Sequence, residues 1–160
     1  MTDFVERFGG IYEHSPWVAA EAESLLGEDV DLERLATVMS DCVDNASSEK
    51  QLALIRAHPD LAGRAQVAAE LTAESASEQS SAGLDQCSEE EWSRFQALNA
   101  AYWERFGFPF VMAVRDSSRA DILELFEARL RNDHDLEFET ALQEIHKIAR
   151  LRLAAMADSE

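Results

Sequence analysis

Basic residues, prolines, glycines and cysteines are all scarce in this chain, and each scarcity excludes something. Fourteen Lys and Arg stand against 32 Asp and Glu, a net charge of −18 over 160 residues. A surface that negative repels phosphate backbones and anionic lipid, which sets nucleic-acid and membrane roles aside. Any anionic ligand must then meet a locally positive pocket against the global field, so an arginine on an apolar face carries information. The two cysteines, Cys42 and Cys87, lie far apart with no C-x-x-C spacing, and read as reduced, packed thiols rather than a disulfide framework. No apolar run approaches the roughly 20 residues that a membrane span needs. The first residues, Met1-Thr-Asp-Phe-Val-Glu6, lack the basic region and apolar stretch of a secretion signal, and the last, Ala157-Asp-Ser-Glu160, are no peroxisomal address. The expected compartment is the cytoplasm.

With only six Gly and three Pro, the chain is rich in Ala, Leu and Glu, which lose little side-chain freedom in a helix. Helical signals follow one another with short breaks. Ser15-Pro16-Trp17 reads as a cap, a first-turn proline and an apolar entry, with Gly27 as the stop. Leu32, Leu35, Met39 and Val43 recur at spacings of three and four. Ser48 with Gln51 reads as a capping box for a helix holding Leu52 and Ile55, which must end near His58 because Pro59 disfavours helical geometry in the residue before it. Thr72 can cap a segment reaching Ala82, closed by Gly83. Ser88 with Glu91 opens a helix with Trp92, Phe95, Leu98 and Tyr102 on one face. Ser118 with Asp121 caps another, bearing Ile122, Leu125, Phe126 and Leu130. A last, strongly periodic helix covers roughly 136–156. Phe106 to Val114 is a dense apolar run containing Pro109, equally consistent with a buried strand or an irregular connector. With no linker or internal repeat, the expectation is one all-α domain over residues 1–160, a multi-helix bundle.

Three constellations could carry chemistry. In Leu54-Ile-Arg-Ala-His-Pro-Asp-Leu-Ala-Gly-Arg64, His58 sits at a helix exit beside Pro59 and Asp60, a good position for an acid or base because a histidine titrates near neutrality. The same string also serves simply to stop one helix and cap the next. In Leu71 to Leu84, Ser75, Glu78 and Gln79 share one helical face, and Thr72 to Ala82 holds no large apolar residue. That segment is either a solvated surface helix or a polar wall facing a ligand rich in N–H and C=O groups. Third, at 100° per residue Arg152 falls inside the stripe of Phe138, Leu142, Ile145, Ala149 and Met156, while Arg150 points away. An arginine placed so either snorkels to water or pairs with a buried anion. The four histidines, His14, His58, His134 and His146, show no metal-ligand clustering, and there is no glycine-rich phosphate loop or dinucleotide fingerprint.

Taken in order, Ser15-Pro-Trp17, His58-Pro-Asp-Leu-Ala-Gly63, Thr72-Ala-Glu-Ser-Ala-Ser-Glu-Gln79, Ser81-Ala-Gly-Leu84, Leu98-Asn99 with Tyr102, Phe106-Gly-Phe-Pro-Phe-Val111 and Arg150-Leu-Arg-Leu153 resemble the 2-oxo-4-hydroxy-4-carboxy-5-ureidoimidazoline (OHCU) decarboxylase family over nearly the whole chain. Each string alone is modest; the ordered set is specific. The resemblance implies an all-α homodimer that decarboxylates a ureide without metal or organic cofactor. It implies His58 and Glu78 as catalytic residues. It implies substrate contacts at Pro59, at Ser75, Ala76, Ser77 and Gln79, at Phe110, Val111, Met112, Ala113 and Val114, and at Arg152. Animal and plant members often end in a peroxisomal signal that this chain lacks.

Overall fold

The computed structural model describes residues 3–26, 31–61, 77–80, 82–84, 87–115 and 117–159. They hold helices α1 (Asp3–Phe8), α2 (Pro16–Leu26), α3 (Leu32–Asp44), α4 (Ser48–Arg56), α5 (Glu89–Phe106), α6 (Arg119–Arg129) and α7 (His134–Ser159). Residues 77–80 are helical as well, and no strand occurs among the described residues, so the all-α expectation is met. Ser75, Ala76, Gly63, Arg64 and the Gly27 stop lie outside the described residues.

Local chemistry sets the helix ends. Ser88 and Ser118 each accept the backbone N–H three residues on, and Glu91 and Asp121 accept the N–H of their capping serine in return. Both expected capping boxes are therefore complete. The box expected at Ser48 is displaced by one residue. Ser47 is the cap, taking the Lys50 N–H, while the Gln51 amide donates to the carbonyls of Val43 and Asp44 at the end of α3. Those carbonyls are the orphans of a helix end, and satisfying them joins α3 to α4. Gly107 ends α5 at φ +78, and its N–H closes onto the Trp103 carbonyl. A side chain is costly at that angle, so Phe106-Gly-Phe stops the helix where it does. Helix α1 went unanticipated: at six residues it is too short to leave a periodic signal.

The chain divides into two compact units, Met1–His58 with Ile145–Glu160, and Pro59–Glu144. The first buries Phe8, Tyr12, Val18, Leu35, Met39 and Ile55 among α1 to α4 and the end of α7. The second is built on an aromatic cluster. Tyr102 meets Phe106, Phe108, Phe110 and Phe126 at centroid distances of 4.5 to 5.9 Å, and Phe110 stacks on Phe126 at 3.9 Å. The 106–114 run takes the irregular alternative. Its rings fill this cluster, so no strand partner is needed to bury them. The expected face of α5 is rotated: Phe95, Asn99, Tyr102 and Phe106 are buried, whereas Trp92 is exposed. On α6, Leu125 is likewise exposed and Arg129 takes a buried place. In both helices a polar residue with buried hydrogen-bond partners displaces the greasier neighbour that periodicity favoured.

Candidate active site

His58 closes the first unit. Its backbone N–H donates to the Ile55 carbonyl as α4 unwinds, and its ring Nδ1 lies 2.9 Å from the Leu54 carbonyl. A carbonyl can only accept, so Nδ1 carries the proton and Nε2 presents its lone pair. The side chain is almost wholly buried. Burial lowers its pKa from 6.5 to about 4; the Leu54 bond and the Glu13 charge oppose this, while Arg152 and His14 reinforce it. At neutral pH His58 is a neutral base with one fixed tautomer.

Arg152 is buried on α7 and Arg150 is exposed, as the stripe requires. Its guanidinium is paired within the protein: Nη2 donates to Glu13 Oε2 at 3.0 Å, and Nη1 donates to the carbonyls of Gly10 at 3.2 Å and Ile11 at 3.4 Å. Glu13 was not singled out from the sequence. Nothing local marks it among 32 acidic residues, since its partner lies 139 positions away. The turn that carries Glu13 is fixed by its neighbours. The Ser15 N–H donates to the Tyr12 carbonyl, the Ser15 hydroxyl donates to the Glu13 carbonyl, and His14 adopts φ +48 between them. Tyr12 is pinned in turn. Its hydroxyl lies 2.8 Å from His146 Nδ1, and His146 Nε2 lies 3.0 Å from the Asp44 carboxylate. The Asp44 carboxylate can only accept, so Nε2 carries a proton. The structure thus brings His58 and Arg152 into one electrostatic neighbourhood.

The remaining described candidates belong to the second unit. Pro59 opens it. Asp60 and Leu61 are then held by three side chains: Gln79 donates to the Asp60 carbonyl, Trp103 donates to the Asp60 carboxylate, and buried Asn99 donates to the Leu61 carbonyl. Glu78 and Gln79 are half-buried on the helical residues 77–80, and Ser77 is exposed. This lies between the two readings, neither a fully solvated helix nor a buried wall. The connector through Phe110, Val111, Met112, Ala113 and Val114 is strapped at two points. Arg129 Nη1 donates to the Val111 carbonyl at 2.7 Å, and the Ala113 N–H donates to Glu144 at 3.1 Å. Arg129 also pairs with buried Glu137 at 2.9 Å, to which the Tyr102 hydroxyl donates, and its guanidinium covers the Phe110 ring. Neither strap engages the Met112 N–H and C=O or the Ala113 C=O, and among the described residues these groups have no hydrogen-bond partner; the two connector residues are only half-buried. Among the described residues no group of three or more His, Cys, Asp or Glu could hold a metal ion, and no helix is long and apolar enough to cross a membrane.

A helical chain with a buried, neutral, tautomer-fixed histidine beside a matched arginine–glutamate pair has the parts of an acid–base enzyme. The chain belongs to the OHCU decarboxylase family, whose model matches residues 1–154. It is 49% identical to a 2-oxo-4-hydroxy-4-carboxy-5-ureidoimidazoline decarboxylase of Haloferax volcanii, over 98% of this chain and 90% of that protein. It is 43% identical to the Mus musculus protein of the same name, over 94% and 84% of the two chains. Among solved structures it is similar to (S)-allantoin synthase, with a TM-score of 0.72 and 34% identity over 94% of this chain and 48% of that one. An OHCU decarboxylase crystallised with (S)-allantoin shares the fold, with a TM-score of 0.72 at 23% identity over 88% and 89% of the two chains.

Proposed function

We propose that this chain decarboxylates 2-oxo-4-hydroxy-4-carboxy-5-ureidoimidazoline to (S)-allantoin and CO2, the last step of urate conversion to allantoin, using neither metal nor organic cofactor. The observation that carries this reading is His58, neutral, buried and with Nε2 free of its carbonyl bond, in a chain of this family. The substrate carries a carboxylate and a hydroxyl on one ring carbon, beside a C=N carbon bearing the ureido group. Breaking the carboxylate C–C bond sends its electron pair into a new ring C=C bond, and the C=N pair moves to nitrogen, which takes a proton from solvent, the one proton the overall reaction consumes. The substrate therefore supplies its own electron sink. The hydroxyl proton must then leave as the C=O forms, and the ureido-bearing carbon must gain one on a single face. His58 Nε2 accepts the first proton and delivers the second, a task suited to a base whose tautomer is fixed and whose surroundings are dry.

Glu78 holds the ureido and ring N–H groups, and the family resemblance gives Pro59, Ser75, Ala76, Ser77 and Gln79 as further substrate contacts. The connector reads the ring amides through the backbone groups of Met112 and Ala113 that neither strap engages, between the buried side chains of Phe110, Val111 and Val114. Arg152, its charge already matched by Glu13, orients the surroundings of His58 and contacts the ligand from that position. The chain acts as one domain over residues 1–160, since the family match runs through both compact units, and it works as a homodimer in the cytoplasm. The test is to add freshly generated OHCU to chelator-treated protein and follow circular dichroism as optically active allantoin forms. Racemic allantoin at the uncatalysed rate would overturn the reading. Light scattering at micromolar concentration checks the dimer.

A further inference from the structure

Four consecutive residues of the first unit, Tyr12 to Ser15, form a turn in which three side chains are buried and bonded. Tyr12 is tied to His146, Glu13 to Arg152, and the Ser15 hydroxyl to the Glu13 carbonyl. The fourth, His14, is different on two counts. Its side chain is 56% exposed, with Nε2 3.9 Å from Glu13 Oε1, beyond hydrogen-bond distance. Its backbone is at φ +48, and among the described residues no other non-glycine has a positive φ. That conformation costs a residue with a β-carbon on the order of 1–3 kcal/mol, and Gly or Asn would occupy it more cheaply. The turn therefore holds an imidazole outward at a position where the backbone favours other residues, one residue from the carboxylate that fixes Arg152.

Charge accounting gives that imidazole a task. The proposed substrate is an anion entering a chain of charge −18. The arginine in the neighbourhood of His58 is matched by Glu13, so the pair offers no net positive charge. His14 Nε2 lies 3.9 Å from the carboxylate that binds Arg152 at 3.0 Å, which places the ring beside that pair, and it is open to solvent. We propose that His14 is a substrate-binding residue of this site, its ring N–H donating to the carboxylate of the incoming ureide. The inference rests on the proposed function, and it adds a residue that reads the group about to leave.

The test uses His14→Asn and His14→Gly in the full chain, because both residues tolerate a positive φ and keep the turn. Loss of one charge-assisted hydrogen bond should raise KM for OHCU by about tenfold to a hundredfold, with kcat changed far less. The affinity for (S)-allantoin, which lacks the carboxylate, should stay within about twofold of wild type. Melting temperatures should equal or exceed that of wild type, since the strain is relieved. A residue that only shapes the turn would lower the melting temperature or weaken both ligands alike. Wild-type KM in both variants, or equal weakening of OHCU and allantoin, overturns the inference while wild-type turnover keeps the proposed function intact. A wild-type chain that forms no allantoin overturns both.

Discussion

At the scale of single residues, His58 sets the pH behaviour. Burial lowers its pKa from 6.5 to about 4 in the folded chain. Activity that needs the neutral ring should be flat from about pH 8 down to pH 5 and fall only towards pH 4, well below the limb of an ordinary histidine. Stability follows the same group. Between pH 6.5 and 4 the unfolded chain binds the proton and the folded chain does not, so this contribution is complete above 6.5 and is lost as pH falls through that window. An acid limb centred near 6.5 in kcat would mean that burial does not depress the His58 pKa in the working enzyme. His58→Ala should cut turnover by roughly 10²–10⁴-fold and erode the optical purity of the allantoin, with the fold retained. Near-normal rate and full stereoselectivity in that variant would exclude it from the chemistry. Arg152→Met leaves Glu13 charged and buried, and should cost about 3–5 kcal/mol of stability by denaturant melts. Adding Glu13→Gln should restore most of that loss, because the two residues form one unit. If the two costs simply add, the pair is not the anchor of the turn.

At the scale of elements, the connector between α5 and α6 depends on side chains that stand outside it. Arg129→Met would strip the Val111 carbonyl of its donor and leave Glu137 buried with its charge opposed by hydroxyl and amide groups alone. It should destabilise the chain by about 3–5 kcal/mol in urea melts, and the folded fraction should lose OHCU affinity. Destabilisation with unchanged KM in the folded fraction would mean that the connector keeps its shape without the strap. This element also marks where sequence reading stops. Capping boxes at Ser88 and Ser118 and the placing of Arg152 were legible because each is a local rule acting over three or four residues. The roles of Arg129, Glu137 and Glu144 were not, since each pairs across 8 to 31 positions and no periodic rule links the partners. The same limit explains α5 and α6, where Trp92 and Leu125 fit an apolar stripe on paper and the buried places went to Asn99 and Arg129. The ordered motifs pointed to His58 and Glu78 where the local pattern alone left both a functional and a structural reading open.

At the scale of the whole molecule, the excess of 18 negative charges dominates the response to salt. The exposed ion pairs Lys50–Glu21 and Arg94–Glu127 and the half-buried pair Arg119–Glu91 weaken as salt rises, but each is worth at most about 1 kcal/mol. The buried pairs Arg152–Glu13 and Arg129–Glu137 are shielded from ions, with side chains no more than 5% exposed. Repulsion among the unmatched carboxylates is spread over the surface and acts across many pairs, and the compact state feels it more than the unfolded chain does. Raising ionic strength from 0.1 M to 1 M shortens the screening length from about 10 Å to about 3 Å, below the spacing of most surface carboxylates. Screening of repulsion should therefore outweigh the lost pairs, and the melting temperature should climb with KCl, most steeply below about 0.5 M. The matching measurement is a series of thermal melts in KCl at pH 7.5, repeated at pH 5 where protonation begins to thin the carboxylate charge. The slope against salt should be smaller at the lower pH. A melting temperature flat or falling with KCl at pH 7.5 would mean that the acidic surface is already balanced by its own ion pairs, and that the net charge exerts no measurable strain on the fold.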